Sequence, residues 1–102
     1  TGQYERYAVD ADALVQIGHI LDGQQPTDVR LPDVLAAAAV AAWVREQSVP
    51  LAEESEEQRR LRHDAATLAL IGLSVENARE TGVLSLHPDL FAEAVAAAQR
   101  ER

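Results

Sequence analysis

The sequence predicts a small all-α bundle of about four helices. Three observations predict it. Apolar residues recur three and four positions apart along most of the chain, the period of one helix face. Alanine, the best helix former, is the commonest residue in a chain that is 47% apolar and only 4% aromatic. Gly, Pro and capping residues mark off four segments, and no apolar/polar alternation is long enough to build a sheet. A length of 102 residues fits one domain with one modest core, so residues 1–102 are expected to fold as a single helical domain.

The elements follow in order. Residues 1–9, TGQYERYAV, carry weak strand character with no strand to pair with. They are expected to form an extended lead-in whose tyrosines pack on the body. Asp10 suits the N-cap of a first helix over 11–22, in which Leu14, Ile17, Gly18 and Leu21 form the apolar stripe and Gly23 is the stop. GQQPTDVRLP follows as a loop.

Pro32 opens a second helix over 33–48, where a missing N–H costs nothing, and Pro50 closes it. From Val34 to Val44 this helix has no polar side chain. A helix that is apolar all round is expected to be buried all round. Ala37, Ala38, Ala41 and Ala42 form its small face, and Val40, Trp43 and Val44 a bulky ridge.

The third helix covers 53–81. Ser55 with Gln58 matches a capping box, which would start the regular helix at Glu56, and Gly82 ends it. Its segment from Ala65 to Val75 is nearly apolar. Leu61, Ala65, Leu68, Gly72 and Val75 form one stripe, with Leu70 and Leu73 on the other side. Pro88 opens a fourth helix over 88–101 with Leu90, Phe91, Ala94, Val95 and Ala98 on its apolar face. The economical arrangement places the second and third helices centrally, flanked by the amphipathic first and fourth.

Charge and composition exclude several function classes. The net charge is −8, with nine Arg and no Lys. Such a chain repels a phosphate backbone or an anionic bilayer, so neither a nucleic-acid partner nor a membrane partner is expected. An apolar run of 11 residues is far short of the roughly 20 that a membrane span needs. The absence of Cys removes disulfides and thiolate chemistry. With no leader segment visible, a cytoplasmic protein is expected. The alanine-rich, lysine-free composition points to a GC-rich bacterial genome. A chain that starts on Thr1 and has no Met reads as either trimmed or part of a longer one.

Chemistry-bearing patterns are sparse. His19, His63 and His87 share no helical ligand spacing, and no HExxH or EF-hand pattern occurs, so no metal or other cofactor is expected. No GxSxG frames any serine, and no phosphate-cradling glycine loop is present, so no catalytic residue is nominated. Gly18 and Gly72 read as points of close helix contact. Glu53, Glu54, Glu56 and Glu57 read as a dipole-compensating helix start. Arg59, Arg60 and Arg62 are expected to pair with Glu56, Glu57 and Asp64 along the same helix.

Two helices that are apolar all round exceed what a four-helix monomer can hide. Either the first and fourth helices wrap irregularly across the central pair, or a second copy covers the excess. The homodimer is the favoured expectation, since exposed apolar patches mark interfaces and two-fold dimers are the commonest oligomers. The residues nominated for that interface are Ala37, Val40, Ala41, Trp43, Val44, Leu70 and Leu73. The leading reading is therefore a non-catalytic, self-associating interaction module. Two alternatives stand beside it. One is an acidic inhibitor-, antitoxin- or immunity-like protein that neutralises a basic partner. The other is a small ligand-binding or enzymatic bundle.

Overall fold

A computed structural model describes residues 2–45 and 53–101, with side chains from Glu5 onward. Its described residues form an all-α bundle of four helices: α1 Gly2–Leu21, α2 Asp33–Arg45, α3 Glu56–Thr81 and α4 Pro88–Arg100.

The first correction concerns residues 2–9, which are the opening turns of α1 and not an extended lead-in. Local strand propensity is overridden by burial. Tyr7, Ala11 and Leu14 are all buried, and their spacing of four and three continues the core stripe one turn further toward the N-terminus. Asp10 therefore caps nothing. It lies mid-helix and accepts a hydrogen bond from Arg45 at the end of α2, at 2.8 Å.

The other boundaries obey local chemistry. The Pro32 carbonyl accepts the first bonds of α2, from the Leu35 and Ala36 amides at 3.1 and 3.0 Å. The expected extension of this helix over 46–48 lies outside the described residues. The third helix begins at Glu56, not at 53, because Ser55 forms the full capping box. Ser55 Oγ accepts from the Gln58 amide at 3.2 Å, and the Gln58 side chain accepts from the Ser55 amide at 2.8 Å. At the other end Gly82 sits at φ 77°, a left-handed conformation that favours glycine, and its amide donates to Ala78 O. The fourth helix ends at Arg100, with Glu101 as its cap.

The packing order differs from the expected one. The largest fully buried side chains are Leu14, Ile17 and Leu21 of α1 and Leu68 and Ile71 of α3. The helices α1 and α3 each touch all three others, whereas α2 and α4 do not touch each other. The central pair is thus α1 and α3, while α2 lies outside, mainly against α3, and α4 mainly against α1. Alanine explains the difference. A helix built from it is apolar all round, yet each methyl offers so little area that burying every side brings little gain.

Glycine sets two close crossings. A Cβ on Gly72 would stand 2.5 Å from the carbonyl carbon of Ala39 and 3.0 Å from Trp43 Cβ. A Cβ on Gly18 would stand 2.8 Å from Ala98 Cβ and 2.9 Å from the carbonyl carbon of Ala94. Gly72 thus lets α2 lie directly on α3, and Gly18 does the same for α4 on α1.

At one end of the bundle two connectors are stitched together. The Val29 amide donates to Leu84 O and the Leu86 amide to Pro26 O, both at 2.8 Å. Ser85 Oγ donates to Thr27 O at 2.9 Å. The Gln24 side chain donates to Ile20 O and Arg30 O and accepts from the Arg30 amide. These bonds satisfy loop groups that the core would otherwise leave without partners.

Candidate interaction surface

The outer face of α2 follows from the Gly72 crossing. Ala39 points at α3 and is fully buried. At about 100° per residue, Ala37 and Ala41 fall nearly opposite Ala39, with Val34 and Val44 on the same side one turn further out. All four are exposed. Val34 is 75% exposed and Val44 73%, the two most exposed large hydrophobic residues described. The all-round burial expected of this helix is therefore not observed. Leu35, Ala39 and Ala42 face the core, and the opposite side carries apolar side chains into solvent.

The nominated interface residues divide into three groups. Ala37, Ala41 and Val44 lie on this outer face. Val40 and Trp43 are partly covered, with Trp43 turned toward the Gly72 crossing. On α3, Leu73 is partly covered and Leu70 is 51% exposed. Leu70 lies two residues from Gly72, about 200° round the helix, on the side of α3 turned away from α2. Leu70 therefore does not share a patch with the α2 residues. Val34 also belongs to the outer face. Its spacing of 3, 4 and 3 with Ala37, Ala41 and Val44 was the available signal, masked by the apolar character of every other side of the helix.

Several ionisable groups are paired within the chain. Arg62 donates through Nε to both Glu54 oxygens at 3.1 and 3.2 Å, and Arg59 stands 3.9 Å from the same carboxylate. The Arg62 hydrogen bond holds the Glu54 carboxyl below its ordinary pKa, more than offsetting desolvation. Arg60 pairs with Glu57 at 3.9 Å. The expected pairing along the helix is seen between Arg60 and Glu57. Glu54, just ahead of the helix, takes Arg62 and Arg59. Asp64 turns inward, is 6% exposed, and accepts from Arg100 of α4 at 2.9 and 3.2 Å. Burial raises the Asp10 pKa despite the opposing Arg45 charge.

Glu56, Arg59, Arg60, Arg62, His63 and Ala66 line a shallow depression. All six come from one helix, and the three arginines already have carboxylate partners, so it is a surface strip, not a built pocket. His63 Nε2 lies 3.3 Å from the Glu93 carboxylate. The His87 ring accepts from the Asp89 amide at 3.2 Å and so caps α4.

The described serines are engaged with the backbone: Ser55 at its cap, Ser74 donating to Leu70 O and Ser85 to Thr27 O. Among the described residues no three His, Asp or Glu side chains stand together as metal ligands would. Among the same residues no helix is long and apolar enough to cross a membrane. No family model, curated protein or solved structure matches the chain.

Proposed function

We propose that this protein is a non-catalytic helical interaction module that pairs with a second copy of itself through the outer face of α2. The observation that carries the reading is the row Val34, Ala37, Ala41 and Val44, exposed on a helix whose opposite side is packed into the core. Exposed apolar rows of this kind gain by being covered.

The energetics call for a weak dimer. Four valines, two from each copy, and the intervening alanines would contribute roughly 5–8 kcal/mol on burial. That is comparable to the lower part of the association cost, about 4–15 kcal/mol. The net gain is at most about 4 kcal/mol, so dissociation near or above about 1 mM follows. The reading includes a cytoplasmic setting, supported by a composition that needs no oxidising compartment.

The test is light scattering coupled to size-exclusion chromatography over a wide range of protein concentration. The expected result is a mass that climbs from monomer to dimer, and Ala41→Glu should hold the protein at monomer mass with its helical circular dichroism unchanged. A monomer mass up to the highest concentration the protein tolerates would refute the reading. The basic-partner alternative draws on the acidic start of α3. It is the weaker one, because Glu54 and Glu57 already face arginines of their own chain.

A further inference from the structure

The outer face of α2 is self-complementary in one direction only, and from this we infer that two copies pair through α2 in antiparallel register, residue i of one chain level with residue 78 − i of the other. The inference rests on the self-association proposed above and specifies its geometry.

The exposed row reads the same from both ends. Val34 and Val44 are equidistant from Ala39, and so are Ala37 and Ala41. A two-fold interface uses the same patch on both copies, so it needs a patch that complements itself. In the antiparallel register Val34 shares a layer with the partner's Val44, and Ala37 with the partner's Ala41. The 3-4-3 spacing places the two members of each layer on opposite sides of the seam, so they interdigitate and do not collide. The two central alanine layers allow the axes to approach to the short end of the usual range, about 8 Å.

Charge decides the direction. The same symmetry relates Asp33 and Arg45, the charged residues that end the helix. In an antiparallel pair each end of the interface carries Asp33 of one chain and the partner's Arg45, flanking the seam. The positive end of one helix dipole also lies beside the negative end of the other. A parallel pair would bring two Asp33 carboxylates to one end, two Arg45 guanidinium groups to the other, and like dipole ends together. The bond from Arg45 to Asp10 uses one nitrogen, and a guanidinium has five N–H donors. Arg45 can therefore keep its own-chain partner while sharing its end of the interface with an acidic residue.

The test exploits a chain without cysteine. Val34→Cys and Val44→Cys are made in separate chains and oxidised alone and mixed, in parallel with light scattering of each sample. Glu80→Cys, exposed on α3, reports random collision. A disulfide needs Cα atoms within about 7 Å. In the antiparallel register positions 34 and 44 share a layer, whereas two copies of position 34 lie ten residues apart along the axis, about 15 Å. The expected result is a covalent dimer from the mixture and none from either variant alone beyond the Glu80→Cys background. Efficient cross-linking of each variant with itself would overturn the register in favour of a parallel pair, while leaving self-association standing. A dimer mass without cross-linking above background in any sample would overturn the inference by moving the contact to another face. A monomer mass for the unmodified protein would overturn both the register and the proposed function.

Discussion

Replacing Gly72 with alanine sets two magnitudes of opposite sign against each other. Helix propensity alone favours the change by about 1 kcal/mol, because alanine loses less backbone entropy than glycine. The crossing opposes it. The new methyl would lie within bonding range of the Ala39 carbonyl group, 2.5 Å from its carbon and 3.0 Å from Trp43 Cβ. Ordinary contact between carbons is about 3.5–4.0 Å. The obstacle is backbone, which cannot rotate aside as a side-chain tip can. The whole of α2 must therefore move away from α3 by about 1 Å, a gap that forfeits a quarter to a half of the dispersion energy across the seam. Overpacking of this kind costs about 1–3 kcal/mol and occasionally more. With a backbone obstacle the upper part of that range applies, so the net effect after the propensity gain is a loss of about 2 kcal/mol. For a domain of this size that lowers Tm by about 10 °C. Thermal unfolding followed by far-ultraviolet circular dichroism measures it. Gly18→Ala, which meets Ala94 and Ala98 of α4, should shift in the same direction. A Gly72→Ala protein as stable as the parent, or more stable, would refute the claim that glycine is required for this close approach.

Two further predictions concern the ion pairs. Arg100→Ala should destabilise more than Asp64→Asn, because it leaves a buried carboxylate without its guanidinium partner. Arg100 is itself partly solvated, so Asp64→Asn should cost about 1–2 kcal/mol, less than the 3–5 of a fully buried pair, as read from urea titration midpoints. Glu54→Gln should change the acid limb of stability. A carboxyl held below its ordinary value, about 4.3, contributes stability that is fully present above that pH and is lost as pH falls through the lowered value. Stability measured from pH 7 down to pH 2 should therefore show the parent ahead of Glu54→Gln at neutral pH and the two converging at the acid end. A constant offset across the range would assign the effect to packing instead of charge.

What was legible in the sequence was what short-range chemistry decides. Ser55, Gln58, Gly82 and Pro88 each act within four residues, and each performs at its position the role its residue type suggests. The start of α1 was not legible, because Tyr7 is recruited into the helix by burial against other elements, which no local pattern encodes. The packing order was hidden for a different reason. Hydropathy counts an alanine as apolar whether its methyl is covered or not, so α2 reads as a central helix while half of it faces water. The pairs Arg45 with Asp10 and Arg100 with Asp64 span 35 and 36 residues, beyond any spacing rule. Of the nominated surface, Ala37, Ala41 and Val44 lie on one face and Leu70 on another. The α3 residue was grouped with them by composition, whereas the angle round the helix separates it.

The stitched connectors have a consequence for how the chain can be cut. The segments around 26–29 and 84–86 hold each other by main-chain bonds across nearly sixty residues of sequence, so neither is an independent loop. Opening the backbone between Pro26 and Val29, by protease or by circular permutation, would free both the α1–α2 and the α3–α4 connections at once. Inserting residues on either side would strain the other. Grafts and new termini belong elsewhere on this fold, because this end of the bundle behaves as a single clasp built from two distant parts of the chain.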